Sequence, residues 1–174
     1  VSPSGKLSDT LAASVEDYLS TENFHESFDY VDYTDDVYVG YRYFETFGEA
    51  KAKVCYPFGY GLSYTNFALE DIKAWEEGEY LKVSLSVTNT GTYAGKEVIQ
   101  VYTSAPQGLL QKPAKELKAF AKTGLLQPGE AQELELRFTK ASMASYDDLG
   151  KVAKSAYVLE AGEYGIYVGT SVRD

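Results

Sequence analysis

The sequence is poor in the residues that usually build reactive centres. Its 174 residues include one cysteine, one histidine, one methionine and one tryptophan. A single cysteine excludes an intramolecular disulfide, and we expect Cys55 to be a small buried hydrophobe. A single histidine, His25, excludes a His-based triad and a two-histidine metal site within one chain. We therefore expect no metal and no cofactor.

Long apolar runs and a basic surplus are also missing. The apolar runs are far shorter than the ~20 residues that a membrane helix needs, so we expect no membrane contact. Sixteen Lys and Arg oppose 26 Asp and Glu, a net charge of −10. Binding to phosphates needs a basic surface, so we expect no nucleic-acid partner. A hydrophobic content of 44% suits one domain with an appendage, and the compartment stays open.

Acidic and aromatic residues are concentrated in the N-terminal part. Residues 1–41 hold nine acids and one lysine, a charge of −8. From Tyr18 to Tyr64 there are nine Tyr and five Phe. This stretch shows neither a sustained helical period nor a long strand alternation, yet it is too apolar for ordinary disorder. We interpret residues 13–64 as an extended aromatic arm that packs on another folded surface.

Residues 65–174 show short alternating runs between turn signals, a pattern typical of a β-sandwich. Apolar residues at 81, 83, 85 and 87 alternate with polar ones, so one face of that strand points to a core. Residues 98–103 and 134–138 alternate in the same way. We predict an all-β antiparallel sandwich of about seven strands, ending in a hairpin between residues 156–159 and 164–168.

Helix is expected only over Ser8–Tyr18 and Ser142–Tyr146. Glycoside hydrolysis with retention needs two carboxylates about 5 Å apart. The adjacent acid pairs of this chain lie beside predicted turns, where charge is usually solvated. These pairs are Asp35-Asp36, Glu76-Glu77 and Asp147-Asp148. We therefore expect no catalytic residue and an inactive chain.

Six short motifs follow one another along the chain. Residues 37–44 read VYVGYRYF and residues 57–64 read PFGYGLSY. VTNTG, AGKEVIQVY, KPAKELKAF and GEYGIYVG then begin at residues 87, 94, 112 and 162. In order and spacing they resemble the linker and C-terminal fibronectin-III-like domain of family-three glycoside hydrolases of the β-glucosidase type. One departure is Asp35-Asp36, where that family usually has Glu-Gly.

The resemblance implies a domain organisation and a non-catalytic function. Residues 1–12 would end an α/β-sandwich domain, 13–64 would form the linker arm, and 65–174 a fibronectin-III/immunoglobulin-like sandwich. Such a domain would stabilise the catalytic barrel and α/β-sandwich domains of its parent, which hydrolyses terminal non-reducing β-glycosidic bonds. An isolated fragment would be prone to self-association.

Six arm residues are the predicted interdomain contacts, because arginine and aromatic side chains are typical interface anchors. They are Tyr38, Tyr41, Arg42, Tyr43, Phe58 and Tyr60. Burial in the domain's own core is one alternative for them, and direct contact with a sugar is another. A different function class stays open as well: a stand-alone carbohydrate-binding or adhesive immunoglobulin-like module, in which Trp75 and exposed tyrosines would contact sugar.

Overall fold

The computed structural model describes residues 2–174, so residue 1 of the predicted 1–12 segment lies outside the described residues. The strands are β1 (Leu11–Ala12), β2 (Val54–Tyr56), β3 (Phe67–Glu77), β4 (Tyr80–Asn89), β5 (Val98–Ser104), β6 (Glu116–Lys122), β7 (Ala131–Thr139), β8 (Ser145–Asp147), β9 (Ala156–Val158) and β10 (Gly165–Gly169). The helices are α1 (Tyr41–Thr46) and α2 (Gly48–Lys51). Short 3₁₀ turns cover Val15–Asp17, Leu19–Glu22, Asp36–Tyr38 and Lys140–Met143.

Two antiparallel sheets form the body of the molecule. One sheet has the strand order β3–β4–β7 and the other β10–β5–β6. Smaller pairs, β1 with β2 and β8 with β9, lie outside them. The predicted all-β sandwich is confirmed.

The core lies between the two sheets and follows the alternation in the sequence. Leu81, Val83, Leu85 and Val87 of β4 are all buried and pack against Ile99 and Val101 of β5. Leu136 and Phe138 of β7 join the same cluster. Burying a side chain of this size contributes about 1.5–3 kcal/mol, so the alternation of β4 alone supplies a large part of the stability of the sandwich.

A buried asparagine joins the end of the arm to the sandwich. The Oδ1 atom of Asn89 accepts hydrogen bonds from Thr65 Oγ1 at 2.6 Å and from the Gly91 amide at 3.1 Å. Its Nδ2 atom donates to the carbonyls of Tyr93 at 2.8 Å and Leu126 at 2.9 Å. Every polar atom of the side chain is satisfied, and residue 65 is thereby fixed where β3 begins.

The predicted C-terminal hairpin is wrong. Strand β9 pairs with β8, whereas β10 pairs with β5 in the register Val168 to Val101. The pairing with β5 wins because Ile166 and Val168 then reach the core from the second sheet. Sequence neighbours that alternate correctly do not have to pair with each other.

Helix placement also differs from the prediction. The segment Ser8–Tyr18 contains β1 and a 3₁₀ turn, because its backbone pairs with the end of the arm, including Ala13 N to Lys53 O at 2.8 Å. Regular helix occurs instead within the arm, at α1 and α2, so the arm is not extended there. No helix among residues 2–174 combines the length and apolar character needed to cross a membrane.

Candidate interdomain surface

The arm covers the outer face of the β10–β5–β6 sheet through Tyr41. The Tyr41 hydroxyl accepts a hydrogen bond from the Leu117 amide at 2.8 Å, and its ring lies 4.6 Å from that of Phe58. The same ring meets Tyr102 of β5 edge-on at 6.1 Å between centroids. Tyr102 points away from the core, yet it is only 1% exposed. The arm therefore buries the outer side of β5, whereas Phe120 of β6 and Tyr167 of β10 on the same face stay exposed.

Burial has an electrostatic consequence for Tyr102. Removal from water disfavours the phenolate and raises the pKa of Tyr102 well above its ordinary value. The neutral hydroxyl donates a hydrogen bond to Gln100 Oε1, and the Gln100 Nε2 atom donates to Thr170 O at 2.8 Å. These polar atoms connect β5 to the chain that follows β10.

The last residues of the chain fasten the arm to the sandwich. The Val172 amide donates to Phe58 O at 3.1 Å. Arg173 Nε donates to the buried carboxylate of Glu45 at 2.7 Å, and its Nη2 donates to Lys51 O at 2.9 Å. Both short helices are thereby fixed from the C-terminal side.

Two further contacts fix α1 from the β6 side. The Arg42 guanidinium lies 3.2 Å from a Glu116 carboxylate oxygen. The Ala114 amide donates to Thr46 Oγ1 at 2.9 Å. We call residues 40–60 the docked segment, because strands β5, β6 and the C-terminus all bind it.

Close approach within the docked segment requires glycine at one position. Gly59 has φ +81° and lies directly on Gln100, whose amide a Cβ atom would overlap. A glycine tolerates both the positive φ and the close contact. This observation explains the glycine of the motif at residues 57–64 in physical terms.

The preceding part of the arm is uncovered. Within residues 22–39 Phe28 is fully exposed and Tyr33 is 92% exposed. Other large apolar side chains in this range are exposed as well: Phe24, Tyr30, Val31, Val37 and Val39. The range contains six acids and neither lysine nor arginine. We call residues 22–39 the uncovered segment.

All six predicted contact residues are half-buried. Tyr41, Arg42 and Phe58 contact the sandwich of this chain, as described above. Tyr38 and Tyr43 both pack against Phe47, at 5.0 Å and 5.4 Å between centroids. Tyr60 lies 5.0 Å from Tyr56. The structure thus divides these residues among three aromatic groups and the Arg42–Glu116 ion pair, and each keeps an exposed part.

Asp36 has a backbone conformation that favours glycine. Its φ is +50°, in the left-handed region that glycine adopts without strain. Aspartate is among the residues that tolerate this region best. The departure noted in the sequence therefore leaves the turn before α1 intact.

Two sequence-based expectations about single residues are wrong. Cys55 is exposed on β2 rather than buried, and so is the next residue of this short strand, Tyr56. Asp147 is fully buried rather than solvated. Burial raises the pKa of Asp147, but backbone amides of residues 150–153 donate to its carboxylate and together lower the pKa to about 2.

Several residues that hold this surface together were missed from sequence. Arg173, Glu45 and Gln100 act over sequence separations of 41 to 128 residues. The sequence offers few hints of these contacts. They are Gly59, which lies on Gln100, and the acid Glu45, whose partner is the C-terminal Arg173. Among residues 2–174, no group of three or more His, Cys, Asp or Glu side chains is placed to hold a metal ion.

Comparison with known proteins identifies the sandwich. The family model described as "Fibronectin type III-like domain" matches residues 97–172. The chain carries a fibronectin type III-like domain. Strands β3 and β4 precede the matched residues and complete the sandwich of this Fn3-like domain.

The relatives of the whole chain, arm included, are β-glucosidases. The chain is 59% identical to β-glucosidase A of Butyrivibrio fibrisolvens over 189 aligned residues, which cover 100% of this chain and 23% of that protein. A solved β-glucosidase of Paenibacillus barengoltzii is 56% identical with a TM-score of 0.92, covering 100% of this chain and 19% of the other. The family-three β-glucosidase of Bifidobacterium adolescentis is 37% identical with a TM-score of 0.89, covering 100% and 25%.

The comparisons give the share of its relatives that the chain spans and test the resemblance noted in the sequence. The chain spans about a fifth of the length of the relatives it matches. The resemblance to the Fn3-like part of family-three β-glucosidases is confirmed, and it includes the preceding arm because the alignments cover the whole chain. The domain limits 1–12, 13–64 and 65–174 stay a prediction.

Proposed function

We propose that this chain is the non-catalytic Fn3-like part of a β-glucosidase that hydrolyses terminal non-reducing β-glycosidic bonds. Relatives that match the chain over its full length are β-glucosidases of which it covers only about a fifth. Two of the three acid pairs have partners within the chain, which supports a non-catalytic part: Asp147 accepts hydrogen bonds from four backbone amides, and Glu76 pairs with Lys140 at 2.5 Å. Catalysis therefore belongs to other parts of the parent protein.

The function of the chain is to stabilise the catalytic domains of the parent through the arm. The single observation that carries this proposal is the uncovered segment, where Phe28 and Tyr33 expose almost their whole rings to solvent. Exposed aromatic rings in such density mark an interaction surface. The six half-buried residues from Tyr38 to Tyr60 named above would contribute the remainder of the interface.

Activity measurements on two proteins test the proposal. The chain alone and the product of the complete coding region around it are assayed with p-nitrophenyl β-glucoside. We expect hydrolysis by the complete product and none by the chain. Hydrolysis by the chain alone, or a coding region without a catalytic domain, would contradict the proposal. Binding of cello-oligosaccharides by the isolated chain would favour the carbohydrate-binding alternative.

Self-association of the isolated chain follows from the same surface. In sedimentation velocity experiments we expect the average mass to rise with concentration, because exposed aromatic rings then bury one another. Replacing Phe28 and Tyr33 by serine is expected to restore a monomer. The matched control replaces Tyr93, 63% exposed on a distant loop, and is expected to leave association unchanged.

A further inference from the structure

The uncovered segment is not the sole exposed aromatic surface on its side of the molecule. The hairpin β8–β9 presents Tyr157 at 77% exposure and Leu149 at 72% exposure. A cleft of about 160 Å³ separates the two surfaces. Its walls are Asp36, Val37 and Tyr38 from the arm and Tyr146 and Leu149 from the hairpin. The two surfaces are therefore neighbours, although more than a hundred residues of sequence separate them.

The hairpin surface is rigidly built. Tyr146 and Tyr157 are directly opposite in the strand register, and their rings meet edge-on at 5.2 Å. The carboxylate of Asp147 accepts hydrogen bonds from the amides of Gly150, Lys151, Val152 and Ala153, at 2.6–3.0 Å. A loop fixed in this way holds Leu149 in solvent. Apolar side chains that are both fixed and exposed lose little entropy on binding, which favours an interface.

Charge indicates what the surface binds. The uncovered segment carries six acids and neither lysine nor arginine. In the hairpin loop, residues 147–154, two aspartates are balanced by two lysines. The arm therefore sets the sign of the combined surface, and complementary potential requires a cationic partner.

We propose that the uncovered segment and hairpin β8–β9 form one docking surface, occupied by a face of the parent's catalytic part that carries Lys and Arg side chains around pockets for aromatic rings. This inference rests on the proposed function. It adds the hairpin as a second contact region and fixes the charge of the partner face. Asp147 is a positioning residue of this surface, because it orders the loop that presents Leu149.

Hydrogen exchange followed by mass spectrometry tests the composite surface. The chain alone is compared with the product of the complete coding region at low salt. In the complete product we expect slower amide exchange both in residues 22–39 and in residues 148–155. The residues of β3 serve as an internal control and are expected to exchange alike in the two proteins.

Charge reversal in the complete product tests the cationic partner. Asp29→Lys with Asp32→Lys is expected to lower the protection of residues 22–39 at least about tenfold, because like charges then face each other. The matched control, Glu79→Lys with Glu133→Lys, reverses two exposed acids at the β3–β4–β7 sheet and is expected to change nothing. Raising the salt should weaken protection in the unsubstituted protein, since exposed charges are screened.

The outcomes separate this inference from the proposed function. An active complete product whose residues 22–39 and 148–155 exchange as in the isolated chain would overturn the inference and leave the proposed function standing. If both regions stay protected at high salt and after charge reversal, the partner face is not cationic, and that part of the inference is overturned. A complete coding region without catalytic activity would overturn the proposed function itself.

Discussion

Two neighbouring parts of one arm behave in opposite ways. The docked segment, residues 40–60, buries Phe44 and covers Tyr102, whereas the uncovered segment, residues 22–39, leaves Phe28 and Tyr33 in solvent. Both are rich in aromatic residues, so aromatic content does not decide the difference. Polar partners distinguish the two segments. Arg42 and Glu45 of the docked segment form ion pairs with Glu116 and Arg173. The uncovered segment has six acids and no lysine or arginine of its own to pair with them.

The comparison teaches how an accessory domain divides a linker. One part of the arm is fastened to its own sandwich and buries the outer side of β5 at Gln100 and Tyr102. The other part stays available for a different surface.

The largest difference in stability between the two segments is expected when one phenylalanine in each is truncated. Phe44 is 1% exposed and packs edge-on against Tyr18 and Tyr43 at 5.4 Å and 5.2 Å. Phe44→Ala should lower the free energy of unfolding by about 3–5 kcal/mol, since it leaves a cavity. Phe24→Ala, at a 62% exposed site, should change it by less than about 0.5 kcal/mol. Urea unfolding measures both, and equal losses would erase the distinction between the segments.

A smaller loss is expected from removing the C-terminal anchor. Arg173→Ala leaves the buried carboxylate of Glu45 with Lys51 alone, 3.4 Å away. We expect unfolding to become easier by about 2 kcal/mol, the usual range for hydrogen bonds to charged groups. Faster amide exchange should be confined to α1 and α2. Lys96→Ala, at an exposed site, is the control, and a similar loss there would argue against a specific anchor.

The pH dependence of the free energy of unfolding tests the burial of Tyr102 under the docked segment. The pKa of Tyr102 is raised in the folded state, so its contribution to stability is complete below the unfolded value of 10.0 and is lost as pH rises above it. Tyr102→Phe should therefore flatten the alkaline loss of stability. Chemical unfolding of the chain and of this variant, measured between about pH 8 and 12, gives both slopes.

The smallest effect concerns the turn that joins the segments. Asp36 has φ +50°, which an alanine adopts only with strain. Asp36→Gly should be more stable than Asp36→Ala by about 1 kcal/mol, because relief of strain exceeds the added freedom of the unfolded chain. Thermal unfolding of both variants gives the difference. Equal stability would mean that the turn relaxes to another conformation.

The parts of the fold that repeat locally could be predicted, and the parts made by distant partners could not. The alternation of Leu81 to Val87 correctly predicts a strand with one buried face. The burial of Tyr102 and Gln100 on the opposite side of β5 depends on an arm some forty to sixty residues earlier, which no local pattern shows. The pairing of β9 with β8 depends in the same way on a loop that Asp147 closes with backbone amides.

The candidate surface was predictable in kind but not in position. The concentration of tyrosine, phenylalanine and aspartate correctly marked the arm as apolar and acidic. Three of the six predicted contact residues, Tyr41, Arg42 and Phe58, contact the sandwich of this chain, whereas the most exposed rings are Phe28 and Tyr33. The difference depends on contacts with β6 and Arg173, which lie far from the arm in the sequence.

Amide hydrogen exchange of the isolated chain, resolved by segment, tests the central claim most directly. We predict slow exchange for residues 41–51, which pack on the sandwich, and fast exchange for residues 22–39, whose large apolar side chains are mostly exposed to solvent. Equal and strong protection of both segments in a monomeric chain would contradict the account, because the whole arm would then be satisfied by its own domain and would offer no surface to a parent enzyme.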